Sequence, residues 1–269
     1  MLRIKTKPEH TYLNPLKQLA GQTAIYGLSS IVARLLNYLL TPLHTSKGVF
    51  SAEQYGIITE MYSYVAFLII FLTYGLETAF FRFINKNPDN KSLVYATGVK
   101  SLVVTSSVFI TMATLFNVPI GKWLNYPDHT EYVVWFAIIV GLDALSTMPM
   151  AKLRAENKAL KFAGVNLVNV LINIGLNLFF LAYCMPHYAA GDTNWLIDAV
   201  YSPDIGVGYV FIANLVASSV KFLLLSPHIL RARGFDFAVL KTMLRFSLPL
   251  LLVGIGWYIN ENFDRIMLK

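Results

Sequence analysis

The sequence predicts an all-α integral membrane protein, a polytopic bundle of about seven transmembrane helices. Composition is the first reason. Of 269 residues 56% are hydrophobic and only 14% charged, too little polar surface to cover a water-soluble globule of that length. Secondly, continuous apolar stretches recur, each near the roughly 20 helical residues that a hydrocarbon core of about 30 Å requires. They are unbroken Leu/Ile/Val/Phe runs rather than short alternating strands, which excludes an outer-membrane barrel. Thirdly, the basic residues gather in every second connection, the pattern expected of helices inserted with positive loops inside.

Helix 1 is predicted over Leu16–Leu43, behind the polar "MLRIKTKPEHTYLNPLKQ". A polar leader before a full-length apolar stretch is no cleavable signal peptide, so helix 1 is expected to stay in the membrane. Helix 2 is predicted over Tyr55–Phe83, helix 3 over Leu93–Val118, helix 4 over Glu131–Met150 and helix 5 over Phe162–Met185. Val207–Leu230 forms helix 6 and Phe246–Leu268 helix 7, with Pro249 one turn inside it. Pro42, Pro149, Pro186 and Pro227 fall at or near predicted helix ends, where a missing N–H costs least. The one long connection, Pro186 to Gly208, is acidic and holds an amphipathic "WLIDAVY" expected to lie in the interface. Because the chain stops at Lys269 just as helix 7 reaches the far side, it is expected to be part of a longer protein.

Arg3, Lys5, Lys7 and Lys17 precede helix 1, and Arg82, Lys86, Lys91 and Lys100 surround the second connection. Lys152, Arg154, Lys158 and Lys161 populate the fourth, while Lys221, Arg231, Arg233, Lys241 and Arg245 cluster around the sixth. Odd connections carry only Lys47 and Lys122. This asymmetry predicts a cytoplasmic N-terminus with even loops inside. It also accounts for the net charge of +7, which attracts anionic headgroups and calls for no nucleic-acid partner.

Enzyme chemistry finds no foothold. His10, His44, His129, His187 and His228 are scattered near interfaces without HExxH spacing, and neither a GxxxxGK[ST] loop nor a GxSxG elbow occurs. The single cysteine, Cys184, reads as a packing residue. No catalytic residue, metal or cofactor is expected.

The informative residues are the polar ones at membrane depth, where a charge costs about 2.5–3.5 kcal/mol on insertion scales and is expected to face the bundle interior or a wet cavity. Asn166, Asn169, Asn173 and Asn177 of helix 5 fall about 6, 11, 17 and 23 Å from the cytoplasmic face and share an arc of about 80°. Asp143 on helix 4 lies near ~12 Å and Lys221 on helix 6 near ~10 Å. Arg34 on helix 1 comes out at about 21–27 Å with Asn37 slightly beyond, and Asn214 on helix 6 at about 20 Å. These depths predict an inner layer of Asp143, Lys221 and Asn169 and an outer layer of Arg34, Asn177 and Asn214, both bordering one cationic cavity. For the asparagines, the residues leave two readings open, cavity wall or helix-to-helix glue. For Lys221, snorkelling toward the headgroups is the simpler alternative. At the end of helix 2, Glu77 and Arg82 stand five apart and off a common face, so a simple helical ion pair is not expected. Glu77 is expected to pack against a neighbouring helix at a cytoplasmic gate, and Arg82 to act there or as an interfacial anchor.

The stretches "SSIVARLLNYLLTPL", "FSAEQYG" and "YGLETAFFRF", with the Asn-rich helix 5 and "INENFDRIML", together resemble bacterial polysaccharide (O-antigen type) flippases. These belong to the superfamily of multidrug extruders, oligosaccharidyl-lipid flippases and lipid II flippases. The resemblance implies two six-helix lobes around a central cavity. On that pattern 1–230 is an N-terminal six-helix lobe, 231–245 a cytoplasmic linker and 246–269 the first helix of a second lobe. It implies alternating access in the bacterial inner membrane. Its substrate would be a lipid-linked oligosaccharide of the undecaprenyl-pyrophosphate type. Membrane lipids and other polysaccharide-assembly membrane proteins are the further expected partners.

Arg34 and Lys221 are the residues expected to meet the anionic pyrophosphate. Within the superfamily, a cation-coupled drug exporter is disfavoured because helix 1 has Arg34 and no carboxylate. A lipid II flippase stays open as an alternative. A membrane-embedded glycan polymerase would ask for a large outside loop with catalytic Arg or acidic residues, and the longest outside loop holds no Arg or Lys.

Overall fold

The computed structural model describes the backbone of residues 15–86 and 88–267, with side chains from 21 to 259 except 22, 87, 257 and 258. The side chains of Arg3, Lys5, Lys7, Lys17, Glu261, Asp264 and Arg265 lie outside the described residues. Every regular element is helical, and no strand occurs among the described residues. Among the described residues seven helices are long and apolar enough to cross a membrane.

Helix 1 comprises Pro15–Tyr38 and, after an offset at Leu39, the short turn Leu40–His44. Helix 2 starts where Ser51 caps it: its hydroxyl accepts from the Gln54 N–H at 3.2 Å, and Gln54 Oε1 accepts from the Ser51 N–H at 3.0 Å. This reciprocal box satisfies two donors that the first turn leaves free. The helix then runs Ala52–Thr73, breaks, and resumes as Leu76–Lys86. Sequence hydropathy predicts one continuous helix here. The break comes from Tyr74 and Gly75, both left-handed at φ 35° and 68°, a conformation that glycine adopts at least cost.

Lys91–Leu115 is helix 3, Glu131–Ala155 helix 4 and Gly208–Leu230 helix 6. Helix 5 is α-helical over Ala159–Asn177, widens to a π-helix at Leu178–Cys184 and closes with Met185–Ala190. Helix 7 spans Phe237–Met267. It therefore begins before the predicted Phe246, and Pro249 sits deep inside it rather than in its first turn. Asp236 explains the earlier start, because its carboxylate accepts from the N–H groups of Ala238 (2.7 Å) and Val239 (3.1 Å).

Helix 4 is the central element and packs against helices 2, 3, 5 and 6, while helix 5 packs between helices 1 and 6. Helix 7 lies against helices 2 and 3. One buried cluster joins helices 2, 4, 5 and 6 around Phe211, whose ring meets Phe136 at 4.6 Å and Tyr132 at 5.0 Å. A second, around Leu76, Phe80, Met148 and Met243, joins helices 2, 3, 4 and 7. Over the first cluster, the helix Trp195–Val200 buries Ile197 fully and leaves Trp195 80% exposed. Tyr209 ties this loop down by donating to Val200 O at 3.2 Å and accepting from Ser202 N at 2.6 Å.

Candidate functional site

The membrane-depth polar residues make their side-chain contacts by helix pair. Between helices 4 and 6, Lys221 Nζ donates to Asp143 Oδ1 at 3.1 Å, and the Ser218 hydroxyl donates to the same oxygen at 3.4 Å. Asn214, four residues before Ser218 on helix 6, lies beside the Tyr62 hydroxyl of helix 2, which is also close enough to feel the Asp143 charge. Helices 2, 4 and 6 thus share one polar centre, with the Asp143 and Lys221 side chains 22% and 19% exposed. Lys221 is paired rather than merely snorkelling.

The second group lies between helices 1 and 5. Asn177, 1% exposed, donates from Nδ2 to Asn173 O (2.8 Å) and Asn173 Oδ1 (3.2 Å). Its Oδ1 is therefore the acceptor facing His44 Nε2 at 3.0 Å, which assigns the His44 proton to Nε2. Asn173 Nδ2 in turn donates to Asn37 Oδ1 at 3.4 Å. Asn37, His44, Asn173 and Asn177 form one seam. Asn166 is half-buried, and the Asn169 amide nitrogen is buried without a hydrogen-bond partner among the described residues. Asn169 takes no part in the Asp143–Lys221 contact.

Arg34 is exposed on helix 1 and enters no ion pair among the described residues. At 100° per residue, Ser30, Arg34 and Asn37 share an arc of about 60°, and all three are exposed. The cation thus stands on an open polar strip that borders the seam with helix 5.

At the opposite end of the bundle Glu77 pairs with Arg154 of helix 4, and not with Arg82. Arg154 also lies over the Phe81 ring at 5.3 Å and the Phe162 ring at 5.6 Å, linking helices 2, 4 and 5. Arg82 instead stacks 4.1 Å from the Phe246 centroid on helix 7. Just beyond helix 4, Glu156 accepts from Lys158 at 2.6 Å and lies 3.8 Å from Lys152. Burial works to raise the Glu156 carboxyl, but the Lys158 hydrogen bond and the charges of Lys152, Lys158 and His228 outweigh it and hold it below the usual glutamate range. At the other end Glu60 accepts from Tyr64 and Tyr126, both at 3.0 Å. Burial, then this bond, push the Tyr126 hydroxyl above the ordinary tyrosine range, so it remains a donor.

Sequence reasoning passed over His44, Tyr62, Arg154 and Ser218. A signal existed for Arg154: it stands two residues after Lys152 in a stretch that hydropathy assigns to a loop, yet the helix continues to Ala155.

Among the described residues, the charges at membrane depth include the Asp143–Lys221 pair and the exposed Arg34 of helix 1. No curated protein and no solved structure matched the chain. A family profile described as "Polysaccharide biosynthesis protein" matches residues 49–268, most of the length and six of the seven spans. The chain belongs to this family of polysaccharide biosynthesis membrane proteins, a transporter family of the flippase type.

Proposed function

We propose that the protein turns a lipid-linked oligosaccharide of the undecaprenyl-pyrophosphate type from the inner to the outer leaflet of the bacterial inner membrane, by alternating access, for cell-surface polysaccharide assembly. The observation that carries this reading is Arg34: an exposed guanidinium in a membrane-spanning helix that has no carboxylate, beside a seam of amides. A planar fork of donors binds phosphate oxygens bidentately, so such a cation suits a pyrophosphate group crossing the bilayer. A cation-coupled drug exporter has the opposite requirement, an open carboxylate for the coupling ion. The membrane-depth carboxylate Asp143 is already held by Lys221. Family membership supports the polysaccharide assignment. The alternation of basic connections supports a cytoplasmic N-terminus.

The test is complementation of a strain lacking the gene, with surface polysaccharide measured at matched protein abundance. Arg34→Ala is expected to lower surface polysaccharide about tenfold or more, and Arg34→Lys to retain part of it, since a point charge replaces a fork. Wild-type polysaccharide in the Arg34→Ala strain would overturn the reading.

A further inference from the structure

Where helix 2 ends, Arg82, Phe83 and Lys86 face Thr242, Arg245 and Phe246 of helix 7 across a shallow groove. We propose that this groove binds the phosphate of an anionic phospholipid headgroup. It does not rest on the transport reading, and it concerns a surface away from Arg34.

Three formal cations line the groove and no carboxylate does. None of the three enters an ion pair among the described residues. By contrast Arg154, also on the cytoplasmic side, is taken by Glu77, and Lys152 and Lys158 are taken by Glu156. The Thr242 hydroxyl proton is committed to Ala238 O at 2.8 Å, so the donors available to a ligand are those of the cations. The guanidinium of Arg82 lies 4.1 Å from the Phe246 centroid, which uses its face and leaves its N–H edge for anionic oxygens. Phe83 crosses Phe246 edge-on at 6.4 Å and completes an apolar floor.

Position decides which phosphate source fits. Lys86 is the last residue of the span Ala52–Lys86, so the cations stand at the boundary where lipid phosphates lie. A free phosphate would gain nothing from the two rings, whereas a phospholipid sets its glycerol and first methylenes against them. Basic pockets between transmembrane helices are a recurrent way of holding anionic headgroups.

The experiment uses the full chain, purified and delipidated in detergent, and native mass spectrometry to count retained lipid. Phosphatidylglycerol is titrated against phosphatidylcholine, with sodium phosphate in a third arm. The wild type is expected to retain phosphatidylglycerol, and the Arg82→Gln/Arg245→Gln protein to bind it about tenfold or more weakly. Lys122→Gln, in the connection at the other end of the bundle, is expected to bind like the wild type. If the double variant is not monodisperse, Lys86→Gln takes its place, because Lys86 is exposed at a helix end. The proposal is overturned if the groove variant binds within about twofold of the wild type, or if phosphatidylcholine is held as tightly. Displacement of phosphatidylglycerol by sodium phosphate alone would identify a free-anion site and overturn it as well.

Discussion

Lys221 Nζ lies 3.1 Å from Asp143 Oδ1, and this ion pair joins helix 6 to helix 4 inside the membrane-spanning bundle. Breaking a buried pair from one side costs about 3–5 kcal/mol, because the remaining charge keeps its desolvation penalty. Here both side chains keep about a fifth of their surface exposed, so water offsets part of that loss. Asp143→Leu is expected to destabilise the protein by about 1–3 kcal/mol. Adding Lys221→Met to Asp143→Leu is expected to recover most of it, since an apolar pair of similar volume carries no unpaired charge. Thermal unfolding in detergent, followed for both singles and the double, checks the sign. A double variant less stable than either single would contradict it.

The helix 1 to helix 5 seam makes a graded prediction. Asn177 is fully buried and makes three side-chain hydrogen bonds, to His44 and twice to Asn173. Membrane hydrogen bonds average about 0.6 kcal/mol each, so Asn177→Ala is expected to cost about 2 kcal/mol. Asn37 is exposed and makes one longer bond at 3.4 Å, so Asn37→Ala is expected to cost no more than about 0.6 kcal/mol. Equal losses in the two variants, measured by the same unfolding assay, would mean that the seam is not held by these bonds. Stability separates glue from cavity wall: residues that only line a cavity alter transport without altering the unfolding midpoint.

How far this site can be read from sequence depends on the kind of information each contact needs. Span number and depth are one-dimensional, and hydropathy supplies them: seven spans, with Asp143 and Lys221 at matching depths on helices 4 and 6. Which helix stands beside which is not one-dimensional. Depth assigns Asn214 to the layer of Arg34 and Asn177, yet it packs beside Tyr62 because helix 6 meets helices 4 and 5 rather than helix 1. His44 reads as one more interfacial histidine until helix 1 is laid on helix 5, when it becomes the partner of Asn177. Helix boundaries fail for a different reason. The run Arg231, Arg233, Gly234 looks like a loop that continues to Arg245, whereas a single cap at Asp236 starts helix 7 in the middle of the basic stretch.

Gly75, at the break in helix 2, lies directly against Ser247 of helix 7. A Cβ there would come within 3.1 Å of the Ser247 carbonyl oxygen, and the residue holds φ at +68°. Gly75→Ala therefore combines a left-handed backbone penalty of about 1–2 kcal/mol with an overpacking cost of about 1–3 kcal/mol. Helix 7 is expected to shift away from helix 2. A pair of cysteines flanking this contact would report this shift as a lower cross-linking yield in the alanine variant. Gly164→Ala serves as the comparison, because nothing lies within 4 Å of a Cβ at that position, and there the change is expected to be neutral or slightly stabilising.

The turn between helices 4 and 5 predicts a pH dependence of stability. Glu156 has its carboxyl held below the ordinary glutamate value of 4.5 by the Lys158 hydrogen bond and the charges of Lys152, Lys158 and His228, against the opposing effect of burial. A carboxylate depressed in the folded state binds fewer protons folded than unfolded, so it favours the folded state above its unfolded pKa. That contribution begins to fade as pH falls through 4.5 and is gone once pH passes below the depressed folded value. Glu156→Gln is expected to flatten this part of the stability profile while leaving the neutral-pH midpoint little changed, because the side chain is more than a third exposed and water screens the pair. Lys158→Gln is expected to flatten it as well, since it removes the strongest partner. The measurement is the unfolding midpoint of wild type and both variants between neutral pH and pH 3. An acid limb of unchanged slope in Glu156→Gln would assign the loss to other carboxylates.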